Sequence, residues 1–323
     1  PGVATYRTTG AAPLSVYFDA SGTSAPVLSA KAFHDFEYRW DFGDETVSTW
    51  QYGAGFGSIL KNAAFGPIAS HSYESAGTYT PSLQVRYDTE VATLTLPSIT
   101  VTASNTQWAG TKTVCVSTDG DFTGAPSGCT PVTSSNAVTA ISGNIGSGDV
   151  RILFKRGQTF TVGSSISITQ QGPGYIGAWG SGAKPIFDLT TANSGIGLSS
   201  SGTPTLSDWR FVDIDFDGND LDCAAFGSNH ACNKITVLRC DMHNLKWGLV
   251  FSDDTLNLAN AGSYTHPIWS NFYVADNNIH DLVGVSNGSN GMYIAFERSA
   301  VLGNSVDPNN KGEHGIRSSF QRL

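Results

Sequence analysis

Four segments decide how this chain reads: Phe211-Val-Asp-Ile-Asp-Phe-Asp217, Val237-Leu-Arg-Cys-Asp-Met-His243, Val274-Ala-Asp-Asn-Asn-Ile-His280 and Val301-Leu-Gly-Asn-Ser-Val-Asp307. Aligned on Phe216, Met242, Ile279 and Val306, they recur at spacings of 26, 37 and 27 residues. None is long enough to bury an apolar face alone, so near-regular self-similarity reads as the stacked coils of a solenoid. Strand alternation sends neighbouring side chains to opposite sides. It turns Val212, Ile214 and Phe216 one way, with Leu238, Cys240, Met242, Ala275, Asn277, Ile279, Leu302, Asn304 and Val306 beside them. This inner set is apolar except for Asn277 and Asn304, which are expected to form a side-chain amide ladder at a bend.

The opposite set is polar and falls into columns up the solenoid. The first is Asp213, Arg239, Asp276 and Gly303, the second Asp215, Asp241, Asn278 and Ser305, and the third Asp217, His243, His280 and Asp307. A second ladder follows each segment after a polar bend: Gly248-Leu-Val-Phe251, Gly291-Met-Tyr-Ile294 and Gly315-Ile-Arg317, spaced 43 and 24 residues. Loop excursions at 252–268 and 283–290 grow from the edge of the stack, where binding surfaces tend to be built.

Upstream, Asp149-Val-Arg-Ile-Leu-Phe-Lys-Arg-Gly157 and Gln158-Thr-Phe-Thr-Val162 read as strand, turn and strand. Ile166-Ser-Ile168, Tyr175-Ile-Gly-Ala-Trp179 and Pro185-Ile-Phe-Asp188 follow at about ten-residue intervals. This cadence resembles the opening coils of right-handed parallel β-helices of the pectate-lyase-like group, at the level of architecture and of no single enzyme family. Glu313-His314-Gly-Ile-Arg317 is similar to elements of polygalacturonase-type hydrolases but departs at most positions, so no role is carried over.

Residues 1–103 differ in character. They hold Phe18-Asp-Ala-Ser-Gly22, Trp40-Asp-Phe-Gly-Asp44 and His71-Ser-Tyr-Glu-Ser-Ala-Gly-Thr-Tyr79, with further strands at 82–87 and 98–102. Short alternating runs between turns suggest a β-sandwich. The order of the three motifs resembles the PKD family, an immunoglobulin-like extracellular module, with Glu45 in place of the usual Gly and a long insert from Thr46 to Ile68. Trp40 is expected to plug the core, Asp41 and Asp44 to fix turns or hold Ca²⁺, and His71 to be structural. The resemblance implies a spacer or interaction domain. The whole chain then reads as all-β: an N-terminal sandwich (1–103), a polar linker (104–112) and a parallel β-helix (113–323), expected to be a piece of a longer protein.

Composition bounds the function. At 323 residues the chain has only 14% charged residues, 36 glycines and a net charge of −9. Scarce Lys and Arg argue against nucleic acid and anionic membranes, and no run of about 18 apolar residues is present to span a bilayer. Cys115 and Cys129, and Cys223 and Cys232, bracket loops. Two disulfides in a secreted protein are one reading and reduced core residues the other. Cys240, facing inward, reads as a buried thiol. Asn287-Gly-Ser289 is a sequon.

The polar columns are the candidate site. Asp215 beside Asp241 brings two carboxylates together, which raises one pKa or recruits a cation. Ca²⁺ on Asp213, Asp215 and Asp241 is the candidate cofactor, within a sequence similar to a DxDxDG calcium loop; strand alternation explains the same acidic row. Arg239, His243, His280, Lys246 and Arg317 are candidate catalytic groups, and Asp217, Asp276, Asn278 and Asp307 candidate substrate contacts. Paired carboxylates suit a glycoside hydrolase; a base with a cation suits a lyase acting on an acidic polymer. The expected partner is thus a polysaccharide or cell-surface glycan, met by a secreted or cell-surface protein. The competing reading is a non-catalytic adhesin, filament or viral spike-type protein, a homo-oligomeric rod whose polar face only satisfies its own backbone.

Overall fold

The computed structural model describes residues 2–24, 31–44, 63–64, 66–192, 194–199, 205–228, 230–251, 269–283, 288–307, 309 and 314–318. Glu45, nearly all of the insert at 46–68, the excursion at 252–268, the sequon's Asn287, and Glu313 lie outside the described residues. The chain divides into two compact units, residues 1–107 and 108–323.

The first unit is the expected sandwich. Leu14–Asp19 pairs antiparallel with Ile68–Tyr73, and Glu37–Asp41 pairs antiparallel with Ser82–Tyr87, which in turn pairs with Glu90–Thr95. Their inward alternates, among them Leu14, Phe18, Trp40, Phe42, Leu83 and Ile99, form one core. Trp40 is fully buried, and its indole N–H donates to the Gly66 carbonyl at 2.8 Å. Asp41 accepts from the Gly43 amide at 2.9 Å, closing the turn after Trp40. His71 is buried, stacks on Phe42 at 4.4 Å and contacts Asp44 at 2.6 Å. All three serve the sandwich.

The second unit is a parallel β-helix whose coils each contribute to three faces. The first face stacks Thr113–Ser117, Val150–Lys155, Gly174–Trp179, Leu206–Val212 and Cys232–Leu238, then shorter strands that include Tyr273–Ala275 and Ala300–Leu302. The second face begins with Thr159–Val162 and Ile186–Leu189, runs through the first halves of Asp215–Gly227 and Asp241–Phe251, and ends with Asn278–His280 and Ser305–Asp307. The third comprises Ile166–Ile168, Ile196–Leu198, the second halves of the same two long strands, Asn290–Ile294 and His314–Ser318. Every pairing between coils is parallel, as in Gly174–Trp179 on Leu206–Val212.

Between the faces lies one continuous core. Phe154, Phe160, Phe187, Phe216, Phe226 and Phe211 meet edge-on at centroid distances of 4.8–5.5 Å, the geometry that ring quadrupoles favour. At the start of the stack, helix Ala137–Ser142 is capped by Asn136, which accepts from the Thr139 amide at 3.0 Å. It buries Ala137, Ala140 and Ile141 against the first strands of the second and third faces.

The register expected for the four segments holds to the residue: Phe216 pairs with Met242, Met242 with Ile279 and Ile279 with Val306. The second ladder holds as well, with Leu249, Met292 and Ile316 in line. Gly248 and Gly291 are required there, because a Cβ on either would meet a carbonyl oxygen of the next coil at 2.5–2.6 Å.

One part of the alternation was misread. Each seven-residue segment is a strand, a corner and a second strand. Asp213, Arg239, Asp276 and Gly303 sit at the corner with φ of 59°, 54°, 55° and 62°. That left-handed residue resets the alternation. Phe211, Val237, Val274 and Val301 therefore face or pack on the main core, while Val212, Leu238 and Ala275 form a separate apolar cluster with Tyr273 on the first face. Leu302, expected inside, is 44% exposed.

The amide ladder is present at this corner. Asn277 Oδ1 accepts from the Cys240 amide at 2.8 Å, and its Nδ2 donates to the Val237 carbonyl and to Asn304 Oδ1. Asn304 repeats the pattern one coil on, accepting from the Asn277 amide and donating to the Val274 carbonyl.

The expected disulfides are not formed, and all five cysteines are free thiols. Cys115 and Cys129 do come together: their thiols hydrogen-bond, and the loop holding Phe122 and Ala125 folds over Leu153 and Trp179 beside them. The Cys223 thiol donates instead to the Gly218 carbonyl, and Cys232 bonds Ser228. Cys240 is fully buried as expected, and desolvation pushes its thiol up to about 12.

Candidate functional site

The second and third columns stand on the second face as read. Asp215 pairs with Asp241 and Asp241 with Asn278, while Asp217 pairs with His243, His243 with His280 and His280 with Asp307. Parallel stacking sets each member about 4.8 Å from the next. The imidazoles of His243 and His280 lie parallel, 5.1 Å apart with 9° between their planes.

The side chains lock diagonally. His243 Nε2 meets Asp215 Oδ1 at 2.9 Å, and His280 Nε2 meets Asp241 Oδ1 at 3.0 Å. On the other side, His243 Nδ1 takes a bond from Asn244, and His280 Nδ1 meets Asp281 at 2.7 Å. Asn278 also donates to Asp241 Oδ1 at 3.2 Å. The bond to Asp215 raises the His243 pKa, against the desolvation that lowers it. The bond from His280, with one from Asn309, lowers that of Asp281. Both nitrogens of each ring are engaged. The outer oxygens, Oδ2 of Asp215 and of Asp241, take no partner among the described residues, and these side chains remain 22% and 27% exposed.

The other predicted site residues belong to corners or to other faces. Asp213 is bonded by two guanidiniums, Arg156 at 2.8 Å and Arg239 at 2.9 Å, which fills it with positive charge and leaves it a poor cation ligand. Residues 213–220 form a corner, a strand and a second corner, so the calcium-loop geometry is absent there. Among the described residues no group of three or more His, Cys, Asp or Glu side chains is placed to hold a metal. Asp217 accepts from the Asn219 amide at 3.0 Å and from Asn244, and Asp307 accepts from the Asn309 amide at 2.9 Å, the local turn bonds that aspartate favours. Asp276 is itself a left-handed corner residue. Lys246 is buried at the start of the third face and pairs with Asp222 at 2.9 Å. Arg317, also on the third face, covers the Tyr293 ring at 4.7 Å.

A concavity on the third face was not anticipated. The third face carries an open groove of about 380 Å³, with Gly197 and Gly227 among its lining, Ser165, Ser167 and Ser194 beside them, and Trp247. The sequence signal is faint: Ser167, Gly197 and Gly227 stand 30 residues apart and become neighbours only when the coils are registered.

Comparison with known proteins bears on the first unit alone. Residues 3–97 match the family model of the PKD domain. The match supports the immunoglobulin-like fold of the N-terminal unit, and PKD domains are typically extracellular. No curated protein and no solved structure matches this chain. No helix among the described residues is long and apolar enough to cross a membrane.

Proposed function

We propose that this is a secreted or cell-surface protein whose β-helix engages a polysaccharide on its second face. One observation carries the reading. Asp215 and Asp241, one coil apart, are each clamped through Oδ1 by an imidazole while Oδ2 has no described partner. A carboxylate oxygen held in a fixed direction is a strong acceptor for a sugar hydroxyl, and two in register match a repeating ligand laid along the stack. The histidines act here as orienting groups. With both nitrogens engaged they lack the free lone pair that a lyase base needs, and Arg239 is committed to Asp213.

Retention of the protein in gels cast with neutral and acidic polysaccharides tests this directly. Asp215→Asn with Asp241→Asn should weaken retention by about ten-fold per carboxylate. Migration unchanged by every polymer would defeat the proposal.

A hydrolytic reading rests on the same pair. Carboxylates one coil apart, about 4.8 Å in strand spacing, approach the separation of roughly 5–5.5 Å used by retaining glycosidases. New reducing ends released from a retained polymer, and lost in either single variant, would establish it. Retention without product leaves a binding module.

A further inference from the structure

The third-face groove lies around the corner from the Asp–His columns and needs its own explanation. Its depth comes from one outward column, which reads Ser167, Gly197, Gly227, Val250 and Tyr293 in strict register. Two glycines open the floor, and Val250 and Trp247 raise the wall at the far coil. The floor glycine is not demanded by backbone geometry: a Cβ on Gly197 would find its nearest atom 3.9 Å away. Four coils from Ser167 to Val250 span about 14 Å at the parallel-strand spacing. At about 380 Å³ the groove is within the range of roughly 300–1,000 Å³ typical of ligand sites.

Its chemistry is unlike that of the second face. Trp247 is half-buried, and the Lys246 ammonium lies 4.1 Å from its ring centroid. Lys246 is itself held by Asp222 at 2.9 Å, so the carboxylate among the lining residues is neutralised within the wall. Around the indole the described lining is rich in serine hydroxyls, and no Lys or Arg belongs to it. An indole face beside many small hydroxyls and no net charge suits a pyranose ring, whose C–H face stacks on tryptophan while its edge hydroxyls trade hydrogen bonds. The ammonium beside the indole, that of Lys246, is already paired with Asp222, and the only basic group in the described lining is the His230 imidazole. An anionic sugar would find no uncommitted ammonium or guanidinium there to offset its desolvation.

We infer that the third-face groove is a second carbohydrate site, one that takes a short stretch of uncharged glycan across the coils with a sugar ring on Trp247. It is independent of the carboxylate pair on the second face and stands or falls separately.

Calorimetric titration with neutral oligosaccharides (from cellulose, xylan and mannan) and acidic ones (from pectate and alginate) tests the inference. The wild type is compared with Trp247→Ala, Gly197→Val and the Asp215→Asn/Asp241→Asn double variant. Gly197→Val suits a strand, its Cβ has no atom nearer than 3.9 Å, and it puts apolar bulk on the floor while leaving Trp247 in the sequence. A neutral oligosaccharide should bind, weaken by about ten-fold in Trp247→Ala and lose measurable affinity in Gly197→Val. That weak site should survive in the double variant. Neutral binding that ignores both groove variants but disappears in the double variant would overturn the groove and leave the second-face proposal standing. Acidic oligosaccharides displaced by Gly197→Val would overturn the assigned sugar class. Binding of no oligosaccharide at all would overturn both sites.

Discussion

Asn277→Ala is the substitution on which the account of the solenoid depends most directly. The side chain is 1% exposed and closes three bonds: it accepts from the Cys240 amide at 2.8 Å, donates to the Val237 carbonyl at 3.1 Å and donates to Asn304 Oδ1 at 2.8 Å. Truncation strands the Cys240 N–H in the core, while the Val237 C=O, which stands in the ladder with Tyr273–Ala275, loses only its second donor. Asn304 Oδ1 keeps one donor, the Asn277 backbone amide. A buried polar group left without its partner costs about 1–3 kcal/mol. One such group, with the weakened bond at Val237 and the small cavity, predicts a loss of about 2–4 kcal/mol for the β-helix unit. Asn304→Ala removes the equivalent link at a more exposed position and should cost less. Because the two amides bond each other, the double variant should lose less than the sum of the single losses. Urea unfolding followed by far-ultraviolet circular dichroism reads this as a lowered midpoint at constant slope. A loss below about 1 kcal/mol for Asn277→Ala would mean that water satisfies the corner, and the ladder would not be what holds the coils in register.

Three further outcomes follow. The folded His243 pKa lies above its ordinary value because of its bond to Asp215, so the charged form adds stability that is complete below about pH 6.5 and is lost as pH rises through the folded pKa. The gap in unfolding midpoint between wild type and His243→Gln should therefore narrow from pH 6 to pH 8; a gap that widens would contradict the assignment. Gly303→Val places a β-branched residue at φ 62° and should cost about 1–2 kcal/mol, against near neutrality for Gly303→Asn. Denatured without reductant, the protein should present five titratable thiols to Ellman's reagent, and three would mean that Cys115 and Cys129 are bridged after all.

The inner register was legible because a solenoid repeats one role at one position, so Phe216, Met242, Ile279 and Val306 announced themselves by kind. The sandwich was legible for a different reason: Trp40, Asp41 and Asp44 act within a few residues of one another, and His71 completes their motif. The corner was missed because a left-handed residue leaves no gap in an alternating pattern. Asp213, Asp276 and Gly303 are residue types that tolerate positive φ, but Arg239 in the same column disguised the series. The groove was illegible because it is made by absence. Glycines 30 residues apart carry no mark of their own until pairing sets them side by side under Trp247.

The corner also explains which polar residues can be spared for a ligand. Asp213, Asp217 and Asp307 look alike in the columns, yet each lies at or beside a corner and is occupied by that turn or by a neighbouring arginine, and Asp276 is itself a left-handed corner residue. Only strand positions between corners escape this demand, and on the second face these are 215, 241, 278 and their neighbours one coil away. Of these, Asp215 and Asp241 retain an unshared oxygen, and the imidazoles at 2.9 and 3.0 Å fix the direction in which each carboxylate presents it. A solenoid with corners of this kind confines its ligand chemistry to mid-face columns. Substitution at 217 or 307 should therefore act on stability, and substitution at 215 or 241 on binding.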